Sequence, residues 1–148
     1  MKYLFILLWS WITVAAAYAP YEARYVKNHD GDTVTLIIEP WPEMYLIKNV
    51  RLAGIDTAEL NEKCDTEEKT QAAQAAASRA QMYVEILLSA ADDIQFIMLG
   101  FDKFGRPLGH ILYDSNNLGD MLLDRSLAKP YSGLGKRPNW CGEGDSNT

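Results

Sequence analysis

One long helical stripe, set between two groups of strand-period segments, limits what this chain can fold into. Ala73, Ala76, Ala77, Ala80, Val84, Leu87 and Leu88 share one face of a helix predicted from about Thr66 to Ser89. Asp65, with Glu68 three residues later, matches a capping box at its start. Alanine dominates the apolar face, so the helix can lie close against a sheet. Before it, "ARYVKNHDGDTVTLIIE" predicts strands over Ala23 to Lys27 and Thr33 to Glu39, joined through the turn dipeptide Asp30-Gly31. Val34, Leu36 and Ile38 alternate with Thr33 and Thr35 and mark a core face. A third run, Met44 to Ile55, follows the proline-rich break "EPWPE" and completes an antiparallel meander. After the helix, "DIQFIML" and a segment through Tyr113 read as strands around a turn at Lys103 to Gly105. Asn117 then caps a short helix through "LGDMLLDRSLA", stopped by Pro130. Five strands, with the long helix between the third and fourth and the shorter one after the fifth, predict an α+β, mainly β fold, a small barrel of the OB type. Periodicity leaves other α+β arrangements open.

The first nineteen residues stand outside that pattern. Lys2 precedes the apolar run "YLFILLWSWITVAAA", which closes in small residues at Ala15, Ala17 and Ala19, as a secretory signal peptide does. The alternative is an uncleaved anchor, since the run approaches the roughly 20 apolar residues that span a bilayer. Without residues 1–19, residues 20–148 make one domain of 129 residues. That length supports a single core. Lys2 is the only charge lost, so 13 basic and 20 acidic residues give the domain a formal net charge of -7. Such a balance excludes a protein that coats nucleic acid by overall charge. Periplasm or medium is the expected location, with no stable membrane association once the signal is removed, and a monomer is expected. Cys64 and Cys141 are the two cysteines, and an oxidising compartment favours their closing as a disulfide. Two free thiols or half of a metal site are the alternatives, although no Cys-x-x-Cys or paired histidine supports zinc.

The informative charges fall at strand ends. A buried strand has little use for Arg51, Asp56 and Glu59 together in "VRLAGIDTAEL", because unpaired buried charges are costly. Asp32 in "DGDT" and Arg106 in "DKFGRPLG" belong to the same class. Singly, each has a plain structural reading as a hairpin turn or a solvated strand start. Together they offer what phosphodiester hydrolysis uses: hard oxygen ligands for a cation, forked guanidinium donors for phosphate, and a base for water.

"DGDTV", "RLAGIDTAE" and "DKFGRPLGHILY" resemble the thermonuclease family, the staphylococcal nuclease homologues, in the family's order and across about Val26 to Cys141. The resemblance implies an OB-type barrel with helices and a calcium-dependent endonuclease that hydrolyses DNA and RNA to leave 3'-phosphates. Position by position, it implies one Ca2+ ion held by Asp32, Asp56 and the backbone carbonyl of Thr57. It also implies that Glu59 is the general base and that Arg51 and Arg106 bind the phosphate. Ala58 stands where the family has proline, which removes a fixed φ between metal ligand and base. "AELNEKCDTEE" resembles the exported bacterial branch, and the acidic balance departs from the basic founding member.

Residues 129–141 hold Lys129, Lys136 and Arg137 with Tyr131 and Trp140, and no acid. Such a strip could follow an unpaired strand and stack its bases, the alternative being a solvated tail packed by Trp140. Tyr131, Lys136 and Arg137 are therefore candidate substrate contacts, as is Lys103 beside its turn. The leading expectation is an exported calcium-dependent nuclease acting on DNA or RNA. The alternative is a catalytically weak or silent OB-type module that binds nucleic acid or protein. A third reading makes the five charges a salt-bridge network, although buried ion pairs seldom stabilise more than apolar packing would.

Overall fold

The computed structural model describes residues 19–142, so all but the last residue of the expected signal peptide lies outside the described residues. Strands β1 (Tyr21–Asn28), β2 (Thr33–Trp41) and β3 (Met44–Leu52) form the antiparallel meander that the alternating pattern requires. After the two-residue strand β4 (Ile55–Asp56) comes helix α1 (Glu67–Ala90), then β5 (Ile94–Phe101) and β6 (Pro107–Tyr113). β5 pairs with the free edge of β1 at Tyr21 and Glu22, and β6 pairs antiparallel with β5. β6 then closes on β3 in parallel, Arg51 opposite Leu108 and Leu52 opposite Gly109. Bulges in β1, β2 and β5 supply the bends that closure needs. The result is a five-stranded OB-type barrel with the long helix between its third and fourth strands.

Alternation along the strands sends Val34, Leu36, Ile38, Val50, Leu52, Phe96, Ile111 and Tyr113 into the core. From α1, Ala73, Ala77, Ala80, Val84 and Leu88 are buried, with Ala76 and Leu87 at the margin of the same stripe. The alanines permit a close approach, and Gly31 shows how close. A Cβ at Gly31 would lie 2.7 Å from both Ala80 Cβ and Thr57 Cγ2. Gly31 does not adopt positive φ. Its small size is needed for packing, not for the tight turn its Asp-Gly setting predicts. The turn itself is made by Asp30, whose Oδ1 accepts from the N–H groups of Asp32 (3.0 Å) and Thr33 (2.7 Å).

Three element boundaries differ from expectation. The helix cap is Thr66, whose hydroxyl accepts from Lys69 N, while Asp65 instead pairs with the Lys69 ammonium at 3.1 Å. β3 stops at Leu52, because Gly54 turns the chain at φ +79 before Ile55. Helix α2 (Leu118–Asp124), capped by the Asn117 side chain as expected, ends well short of Pro130. Ser126 at φ 56 reverses the backbone, and Lys129–Pro130 become strand β8, antiparallel to β4. The remaining short strand, β7 (Asn116–Asn117), extends the sheet beside β6. Among the described residues no helix is long and apolar enough to cross a membrane.

Candidate functional site

The β4–β8 pair carries the C-terminal tail back to the mouth of the barrel. Ile55 faces Pro130, Asp56 faces Lys129, and Tyr131 N donates to Gly54 O at 2.9 Å. Ten residues further on, Cys141 is joined to Cys64 by the expected disulfide, with the Cα atoms 5.5 Å apart. The tail is thereby fixed at both ends over the strand segment that holds Arg51, Asp56 and Glu59.

Arg51 leaves β3 at the point where β3 meets β6, and its side chain is almost buried. It donates to Asp32 Oδ1, to Asp56 Oδ1 at 3.1 Å and to the carbonyl of Ile55 at 3.4 Å. Asp32 Oδ2 accepts from Thr57 N at 2.8 Å, and Thr33 Oγ1 donates to Oδ1 at 3.2 Å. Asp56 is 0% exposed. Its Oδ1 also accepts from Arg137 Nε, while Oδ2 accepts from Arg137 Nη2 and Trp140 Nε1, all at 3.0 Å. Arg137 Nη2 donates in addition to the carbonyl of Thr57 at 3.1 Å and lies 3.4 Å from a Glu59 oxygen.

These contacts correct the calcium expectation. A calcium site needs several oxygens free to converge on the ion. Every carboxylate oxygen of Asp32 and Asp56 is already taken by N–H or O–H donors, and so is the Thr57 carbonyl. Thr57 Oγ1 is buried without a hydrogen-bond partner among the described residues, and one hydroxyl is no calcium site. Among the described residues, no group of three or more His, Cys, Asp or Glu is placed to hold a metal. Positive charge at this point comes from arginine.

Arg106 reaches the same mouth from the β5–β6 turn. Asp102 shapes that turn: its Oδ1 accepts from the N–H groups of Phe104 and Arg106, both at 2.9 Å, and its Oδ2 from Arg106 Nε at 2.6 Å. Desolvation alone would raise the Asp102 carboxyl, but these donors and the Arg106 charge together hold it below its ordinary pKa. Arg106 Nη1 points to Thr33 Oγ1 at 3.4 Å, which joins the turn to the Asp32 group. The Phe104 ring, 73% exposed, has Lys103 Nζ at 5.1 Å and Arg106 Cζ at 5.5 Å from its centroid.

Between turn and tail lies a cleft of about 470 Å3. Arg51, Arg106, Arg137 and Lys103 line it together with Asp56, Glu59, Tyr131 and the exposed Phe104 and Leu134. Glu59 has its carboxyl pushed above the ordinary value by burial, opposed by Arg137 and reinforced by Asp30 and Asp56. Arg137, partly desolvated, is nevertheless held charged more firmly than usual by Asp56, with Glu59 and Glu62 adding to the field.

Of the residues singled out from sequence, Arg51, Asp56, Glu59, Lys103, Arg106, Tyr131 and Arg137 line this one cleft, with Asp32 and Thr57 bonded behind it. Lys136 is exposed and outside it. Asp102 and Phe104 were not singled out. Asp102 precedes a Gly-Arg turn and Phe104 is an exposed aromatic within it, which is the local signal for both. Neither a protein-family model nor a curated protein matches this chain.

Proposed function

We propose that this chain is an OB-type module that binds single-stranded nucleic acid at the mouth of its barrel. The observation that carries the reading is the cleft itself: guanidinium groups from β3 and from the β5–β6 turn converge beside the exposed ring of Phe104 and the ring of Tyr131. Forked donors receive phosphate oxygens, and aromatic faces at the rim stack bases of any identity. With a net charge of -6 over the whole chain, attraction for phosphate rests on the few cations of the cleft, so binding is weak and weakens further as salt rises. The Cys64–Cys141 disulfide supports a working place outside the reducing cytosol.

The test is fluorescence anisotropy of a labelled oligothymidylate against the same label on a duplex, for the unmodified chain and Arg106→Ala. The single strand binds more tightly, and the variant loses affinity and flattens the salt dependence. A folded protein that binds neither probe at low salt overturns the reading.

A phosphodiester hydrolase is the second reading, favoured by Glu59, which lines the cleft together with Arg51 and Arg106. Strand cleavage that Glu59→Gln abolishes would establish it.

A further inference from the structure

Two of the three acceptors that the family resemblance assigns to a cation, Asp56 and the Thr57 carbonyl, are met by one side chain from the tail. Arg137 spans both oxygens of Asp56, the Thr57 carbonyl and Glu59, and lies 3.9 Å from a Glu62 oxygen. Its position is determined from three directions. Trp140 Nε1 shares Asp56 Oδ2 with it, the β4–β8 pair anchors the start of the tail, and the disulfide to Cys64 anchors the tail four residues beyond. Lys129, which lies 4.6 Å from the Trp140 ring centroid and donates to the Asn139 carbonyl, draws the tail closed on itself.

Electrostatics make this arrangement consequential. Without Arg137, the carboxylates of Asp56 and Glu59 would face an incoming phosphate, with Glu62 adding to the negative field and Arg51 already shared between Asp32 and Asp56. Like charges brought together at a binding surface cost several kcal/mol. We infer that Arg137 is a built-in counter-cation, tethered by the Cys64–Cys141 disulfide, which offsets part of the acidic wall's charge so that Arg51 and Arg106 can receive a phosphate. The charge role extends the binding function proposed above and rests on it. The tether makes that role redox-dependent. A dithiol reductant such as dithiothreitol transfers two electrons and two protons to the disulfide, leaving two cysteine thiols and a cyclic oxidised dithiol. The tail then loses its covalent anchor and is held by the β8 pairing and the Trp140 and Lys129 contacts alone, so the docked guanidinium's local concentration falls.

Two experiments test the inference. In the first, oligothymidylate affinity is measured for the unmodified chain and Arg137→Ala, each oxidised and treated with dithiothreitol. The substitution weakens binding about tenfold or more. Reduction weakens the unmodified chain and leaves Arg137→Ala unchanged, because the tether acts through the side chain already lost. Unaltered affinity in Arg137→Ala overturns the inference, and so does an equal effect of reduction on both proteins. If the alanine variant does not fold, Arg137→Gln removes the charge at nearly the same length and is read identically.

The second experiment needs no ligand. Thermal unfolding of Arg137→Ala, or of the glutamine variant, is followed in low-millimolar guanidinium chloride and in sodium chloride at equal concentration. Guanidinium raises the Tm of the variant above its value in sodium chloride and does not do so for the unmodified chain. Equal responses to the two salts overturn the counter-cation. Should the unmodified chain bind no oligonucleotide, the binding reading fails while the guanidinium result still decides whether Arg137 fills a cation position.

Discussion

Arg137 and Asp56, 81 residues apart in the chain, meet in a two-pronged ion pair, Nε to Oδ1 and Nη2 to Oδ2, each at 3.0 Å. The pair joins the last segment of the described chain to the strand that leaves the barrel. It sets a positive charge against the Asp56, Glu59 and Glu62 carboxylates, and two of the expectations below depend on that charge.

Asp56→Asn removes the charge that Arg51 and Arg137 share at a fully buried position. Loss of one partner from a buried ion pair destabilises by about 3–5 kcal/mol. Urea unfolding gives the number, and a loss below about 1 kcal/mol, the range of an exposed pair, would show that water screens this group.

Gly31→Ala tests the packing of α1 on the site. Its Cβ would meet Ala80 and Thr57 at 2.7 Å, and Thr57 N is the donor that orients Asp32. Overpacking of this kind costs about 1–3 kcal/mol, and here it also displaces the Asp32–Arg51 group. A variant as stable as the parent would mean that the helix yields without strain.

Phe104→Ala separates stacking from stability. The ring is 73% exposed, so the melting temperature is nearly unchanged. Oligothymidylate binding falls by about 1–3 kcal/mol if one base stacks there. Full retention of affinity would place the bases elsewhere on the rim.

Glu59→Gln tests the pH dependence. Burial raises the folded pKa of Glu59 above its unfolded value, so folding favours the protonated form. That contribution is fully present below the unfolded carboxyl pKa and is lost as pH rises through the raised folded value. The glutamine variant is therefore more stable than its parent at neutral pH, and the two converge in acid. Thermal melts across that range decide it: a parent that is the more stable at neutral pH would mean that the Arg137 pair outweighs desolvation.

Much of the barrel was legible in advance because its signals are local. Alternation in β2, the alanine stripe of α1 and the Asn117 cap each depend on residues within a few positions, and backbone geometry imposes their periods. The disulfide was legible from an even cysteine count and a signal-like N terminus. Motif order was enough to bring Arg51, Asp56, Glu59 and Arg106 to one mouth, because strand ends on the same rim of a small barrel are neighbours.

The partner of each charge could not be read the same way. Nothing near Asp56 in the chain shows that a guanidinium 81 residues later takes both its oxygens, or that Trp140 closes the fourth hydrogen bond. Likewise, Gly31 looks like a turn residue until α1 is placed against it, and α2 looks longer until Ser126 turns the tail toward β4. The sequence by itself determined the elements, their order and which residue types could gather at the mouth, because short-range sterics and hydrophobic period act along the chain. Only the tertiary structure decided that arginine, not calcium, meets the acidic wall. Ion pairing depends on distance through space, and the tail comes within that distance only after the barrel closes and β8 docks on β4.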